Sequence, residues 1–190
     1  MGKTILAFIS FIFLILVIVI IVAKGGSDNS STVSTRAKLS ESANSEAVFT
    51  FTERGPIVAD EDHYNIQITV NRHTRVIKIL KGYEGNVVAT QSFTNNQEAF
   101  SDFVSALENA GYEGKKSTKY ASEEGVCPAG RRYVFESNQF DEDFRRWTSN
   151  CDVKGDFAGS LSVIQGLYKD QIPEYNKFIS ETRASTGLSL

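Results

Sequence analysis

The chain has 190 residues, 41% of them hydrophobic and 23% charged, with a formal net charge of -3 at pH 7. That length bounds it to one domain with accessory segments. The acidic balance argues against a nucleic-acid partner, because neutralising phosphates needs a clustered excess of Lys and Arg.

The hydrophobicity is unevenly spread. From Ile5 to Ala23 the run ILAFISFIFLILVIVIIVA carries no charge. As a helix rising about 1.5 Å per residue it spans roughly 28 Å, close to the hydrocarbon thickness of a bilayer. A cleavable signal has a shorter apolar core followed by small residues. The segment ending Val22-Ala23-Lys24 offers no such site, so residues 1–24 are expected to be an uncleaved single-pass transmembrane anchor. No cysteine follows for lipidation, Leu6 breaks the myristoylation pattern, and the apolar stretch lacks the Glu of a pilin-type anchor. Lys3 set against Lys24, Arg36 and Lys38 does not fix the orientation. The very short N-terminal tail favours a cytoplasmic N-terminus and an extracytoplasmic C-terminal domain at the cell membrane.

Residues 25–46, GGSDNSSTVSTRAKLSESANSE, have almost nothing to bury and are expected to form a flexible tether. Asn29-Ser30-Ser31 matches a glycosylation acceptor, which has meaning only in a eukaryotic secretory host. The exported domain is expected over residues 47–182, with a disordered tail over 183–190. VFTFTE from Val48 alternates at the period of a half-buried strand. YNIQITV puts Tyr64, Ile66, Ile68 and Val70 on one face, and RVIKILKG and VVATQSF follow after short turns, which suggests an antiparallel meander. Thr94 with Gln97 fits a capping box for a helix carrying Phe100, Phe103, Val104 and Leu107, with Gly111 as its stop.

The second half reads as two strands, RRYVFES and EDFRRWTS. A helix burying Leu161, Ile164, Leu167, Tyr168 and Ile172 follows, then a break at Pro173 and a terminal helix carrying Tyr175, Phe178 and Ile179. Strands then helix, twice, predict an α+β fold: an antiparallel sheet of about six strands with two main helices on one face.

Cys127 and Cys151 are the only cysteines. Their midpoint falls on Gln139, in the polar break between the last two strands, so a hairpin folded there brings them opposite each other as a disulfide. An exported location supplies the oxidising compartment. A structural zinc would need His63 and His73, which lack finger spacing. A Cys127 nucleophile would need a free thiol and a base brought from elsewhere.

The same midpoint sets a register in which Arg131 faces Trp147, Tyr133 faces Arg145 and Val134 faces Phe144. Arg132 would then sit beside Arg146 on the other face. Arg131, Arg132, Tyr133, Arg145, Arg146 and Trp147 thus form a candidate binding surface for an anionic or carbohydrate partner, with cation-π contacts of about 0.5–1 kcal/mol each. The plainer alternative is a solvated face whose Tyr133 and Trp147 pack the core. A shift of two in register would pair Tyr133 with Trp147.

Asp60, Glu61, Asp62 and His63 crowd one loop, but their spacing is not that of a Ca²⁺ loop. No metal, cofactor or catalytic motif is recognisable, and neither G-x-S-x-G nor H-E-x-x-H occurs. At ERGPI (Glu53 to Ile57), ITVNRHTRVIKILKGYEG (Ile68 to Gly85) and GVCPAGRRY (Gly125 to Tyr133) the chain resembles small anchored proteins of ultrasmall candidate-phylum bacteria of the Saccharibacteria type. The resemblance implies a bacterial envelope setting and carries no activity. The expected function is therefore a membrane-anchored binding domain for an envelope protein or glycan, with an envelope hydrolase or enzyme inhibitor as the rival. A concave pocket with convergent polar groups would favour the enzyme, and a flat aromatic and arginine face would favour binding.

Overall fold

The computed structural model describes residues 39–139 and 142–187. The uncharged run Ile5–Ala23 and most of the tether lie outside the described residues. Among the described residues no helix is long and apolar enough to cross a membrane.

Strands β1 (Val48–Arg54), β2 (Tyr64–Val70), β3 (Thr74–Lys81) and β4 (Asn86–Thr94) are followed by helix α1 (Gln97–Asn109). Then come β5 (Arg132–Gln139), β6 (Glu142–Ser149), α2 (Leu161–Asp170) and α3 (Tyr175–Thr186). The six strands form one antiparallel sheet in the order β4-β3-β2-β1-β5-β6. β1 therefore lies inside the sheet and pairs β2 on one side and β5 on the other.

Alternation along each strand sorts its side chains between two faces. Phe49 and Phe51 share a face with Ile66, Ile68, Ile77, Ile79 and Phe135, all buried in a single core. The helices cover this face: Phe49 meets Phe100 and Phe103 of α1 at ring-centroid distances of 6.0 and 6.2 Å, and Phe51 stacks on Tyr168 of α2 at 5.4 Å. α1 begins at Asn96, whose side chain accepts from the Ala99 amide at 2.9 Å. The expected Thr94 cap is thus two residues early, because Thr94 still belongs to β4. Gly111, at φ 77°, supplies the left-handed residue just after the helix.

The ends of the domain are more ordered than composition suggested. Leu39–Asn44, inside the stretch read as tether, forms a 3-10 helix that buries Leu39 and Ala43. It is tied to α1 by Gln97 Nε2 donating to Ala43 O at 2.6 Å and by Ser40 N donating to Glu108 Oε2 at 2.8 Å. α3 likewise runs through residues 183–186 of the expected tail and stops at Gly187, φ 71°.

Part of the opposite face is covered by irregular chain. Trp147 of β6 pairs with Val134 there, and both are buried. Gly155 packs so closely on Trp147 that a Cβ would lie 2.2 Å from its carbonyl oxygen and 2.4 Å from Cδ2, so this position accepts only glycine. Phe157 N donates to Trp147 O at 3.1 Å, and Asp156 Oδ1 accepts from Trp147 N at 3.1 Å, which satisfies the outer edge of β6 there.

Candidate functional site

The β5–β6 hairpin differs from the expected register by three residues. Val134 faces Trp147, Tyr133 faces Thr148, Phe135 faces Arg146 and Glu136 faces Arg145. An odd shift exchanges faces. Arg131 therefore does not lie over Trp147, nor Arg145 over Tyr133, nor Arg132 beside Arg146. The one cation-π contact here is Arg146 over Phe144, at 4.8 Å.

Cys127 and Cys151 form the disulfide, with Cα atoms 5.8 Å apart. It is not a cross-strand rung. Cys127 precedes β5 in the left-handed region at φ 53°, in a turn closed by Gly130 N donating to Cys127 O at 3.1 Å. The bridge pins this turn beyond the end of β6, and Pro128 O in turn accepts from Ile57 N at 2.7 Å. Asn150 Oδ1 accepts from Arg131 N at 2.8 Å beside it.

The six residues of the expected surface are distributed over both faces. Tyr133 and Trp147 are buried on opposite sides of the sheet. Arg146 pairs with Asp156 at 3.6 Å. Arg145 donates to both oxygens of Glu123 at 2.7 Å and to Glu136 at 3.2 Å. Arg54 reaches Glu123 at 3.2 Å, so a fully buried carboxylate is clasped by two guanidinium groups. Burial pushes the Glu123 pKa up, but the Arg145 hydrogen bonds and the charges of Arg54 and Arg145 outweigh it and hold the carboxyl below its usual range. Arg132 is 4% exposed and has a like-charge neighbour after all, since its direct cross-strand partner is Arg54.

Two of the six line concavities: Arg145 borders one of about 380 Å³ with Val48, Thr50 and Asp143, and Arg131 opens into another on the helix side. One residue before the buried Arg132, it falls on the helix side of the sheet together with Glu53. Glu53 accepts from Arg131 Nη1 and from Gln165 Nε2 of α2 at 3.0 Å, with Lys169 Nζ at 3.9 Å. The Glu53 side chain is 7% exposed and that of Arg131 34%, so the carboxylate forms the floor and the cation the wall. From here a cleft of about 440 Å³ runs along α3, lined by Ile66, Lys169, Tyr175, Ile179 and Arg183 among others. Lys169 Nζ sits 5.4 Å over the Tyr175 ring. Burial and the Glu53 charge push the Tyr175 pKa up to about 12, against the opposing charges of Arg131 and Arg183, so its hydroxyl stays a neutral donor near pH 7. Arg131, Lys169 and Arg183 thus line the cleft together with a single carboxylate, Glu53.

Arg131 was singled out from sequence; Glu53, Lys169, Tyr175 and Arg183 were not. A signal for Glu53 existed, because it occupies the position in VFTFTE where the parity of Phe49 and Phe51 calls for an apolar residue. Lys169 and Arg183 come to it only through the packing of α2 and α3.

The acidic loop serves local structure. Asp60 Oδ1 accepts from Tyr83 N at 2.7 Å, and buried His63 stacks on Tyr83 at 4.1 Å. Among the described residues no group of three or more His, Cys, Asp or Glu could hold a metal ion. No protein-family model matches the chain, and no curated protein matches it.

Proposed function

We propose that this protein is a membrane-anchored, extracytoplasmic binding module that takes an anionic group of an envelope component into the cleft between the sheet and α3. The observation that carries this reading is the convergence of Arg131, Lys169 and Arg183 with the buried Glu53 on one cleft. Glu53 orients Arg131, leaving the outward side of its guanidinium to a ligand, and Ile66 and Ile179 add apolar lining for what the anion is attached to. The anchor reading rests on the uncharged run Ile5–Ala23.

The concavity meets the condition set for the rival reading, an envelope hydrolase. Glu53 and Asp62 both line a smaller adjoining cavity, and a carboxylate pair is what acid–base hydrolysis of a glycoside uses. Against this, Glu53 is already engaged by Arg131, Gln165 and Lys169, which suits a counter-ion better than a proton donor. Hydrolysis of an envelope glycan that disappears in Glu53→Gln would establish the rival.

Two outcomes test the proposal. Protease added to intact cells should remove the C-terminal domain, and a protected domain or a mature N-terminus after Ala23 would contradict the placement. Envelope fractions passed over immobilised protein should be retained by the wild type and about tenfold less by Arg131→Lys, which keeps the charge but loses the planar fork. Equal retention would contradict the cleft as the site.

A further inference from the structure

On the face opposite the cleft, one row of side chains runs across three neighbouring strands. Arg132 of β5 faces Arg54 of β1, and Arg54 faces Asn65 of β2. All three are polar, and two of them hold buried atoms with no hydrogen-bond partner: Arg132 Nε and Asn65 Oδ1. Arg132 is 4% exposed and Asn65 9%. Such orphans are uncommon in folded proteins, because leaving a desolvated polar group unpaired is costly.

The charges in this region do not balance. Glu123 is shared between Arg54 and Arg145, and Glu136 pairs with Arg145. Arg132 has no carboxylate within ion-pair distance among the described residues; its Nη2 donates to the Gly55 carbonyl. Arg54, Arg132 and Arg145 thus stand against Glu123 and Glu136, one positive charge in excess. Burial and the neighbouring Arg54 charge both depress the Arg132 pKa, which marks the same strain. Directly opposed like charges are destabilising unless something separates them.

We infer that this row is an oxyanion site, in which a phosphate or sulfate group accepts from Arg132 Nε–H and Arg54 and from the Asn65 amide. A half-turn of the Asn65 amide exchanges its oxygen for its NH2 at the same place and turns the orphaned acceptor into a donor. Donors arriving from three adjacent strands suit a tetrahedral group with several acceptor oxygens better than a planar carboxylate, which one guanidinium fork satisfies. The Arg54 side chain, 36% exposed, is the accessible end of the row. The site is separate from the cleft: Glu53 and Arg131 precede Arg54 and Arg132 by one residue and point to the other face.

The test uses the full chain in detergent micelles, with the unfolding midpoint followed at constant pH and ionic strength as chloride is replaced by inorganic phosphate, sulfate or dimethyl phosphate. A tenfold excess over Kd should raise the midpoint by about 3–5 °C. Inorganic phosphate or sulfate acting alone identifies a free ion as the ligand, whereas an equal effect of dimethyl phosphate identifies a polymer phosphodiester. Arg132→Met should fold at least as stably as the wild type in chloride and lose the rise. If Arg132→Met does not fold, Arg54→Gln provides the same readout. Arg131→Lys and Lys169→Met, which alter only the cleft, should keep the rise. No rise beyond that in chloride, or a rise that survives Arg132→Met and Arg54→Gln but is lost in the cleft variants, overturns the inference. The first result leaves the cleft reading untouched, and the second would move the anion from this row into the cleft, so failure of this inference and failure of the cleft reading stay distinguishable.

Discussion

Glu123→Gln is expected to lower the unfolding midpoint by about 5–10 °C, the consequence of about 2–3 kcal/mol in a domain of this size. The substitution keeps the shape and removes the charge. Arg54 and Arg145, which reach this carboxylate at 3.2 and 2.7 Å, are then left facing each other and Arg132 with no buried anion between them. The loss stays below the full cost of an unpaired buried charge because the two arginine side chains are 36% and 40% exposed and solvent screens them.

The same carboxylate makes stability depend on pH. Its folded pKa lies below the ordinary value of 4.5, so its contribution is complete above that value and is lost as pH falls through the lower, folded one. The wild type should therefore lose stability in acid more steeply than Glu123→Gln, and the two curves should converge at the lowest pH. Parallel curves, or an unchanged midpoint at neutral pH, would show that Glu123 does not hold the two arginines together.

The second large effect belongs to the disulfide. Replacing Cys127 and Cys151 by Ala is expected to cost about 3 kcal/mol in the chain-entropy model, or roughly 6–12 °C in the midpoint. Each single variant should lose as much as the double, because either one opens the same loop. Beyond the unfolded state, the bridge holds the turn whose Pro128 carbonyl accepts from Ile57 N and whose continuation presents Arg131. Non-reducing peptide mapping should recover the linked pair. Two alkylatable thiols in acid-quenched native protein, or a double variant as stable as the wild type, would contradict it.

The strands were legible because a sheet packed on one face must alternate, and VFTFTE and YNIQITV do. The helices were legible for the matching reason, with Phe100, Phe103, Val104 and Leu107 one face of α1. The hairpin register was not, and the cause is specific. Symmetry about the turn assumed that both cysteines belong to the ladder, whereas Cys127 lies in a turn outside it. A three-residue error then moved every side chain of one strand to the wrong face, and the supposed arginine surface with it. Order at Leu39–Asn44 was hidden because LSESAN looks polar: its only apolar residues are Leu39 and Ala43, both buried, and the rest of its hold on α1 is hydrogen bonds such as Ser40 N to Glu108. Glu123 was invisible for a different reason. It comes from an irregular stretch without periodicity, and its partners lie on β1 and β6.

The binding claim itself is most directly tested by titrating isotope-labelled full-length protein in micelles with soluble envelope acids (uronic acids, glycerol phosphate and short peptides with a free carboxylate). The Arg131 Nε–H, the Gln165 side-chain amide and the amides of Asn176 and Ser180 would be followed by NMR. At least one acid should shift these signals together along a single saturable curve, and Arg131→Lys should weaken that binding about tenfold. Shifts confined to other surfaces, or a binding curve unchanged in Arg131→Lys, would contradict the cleft as the ligand site.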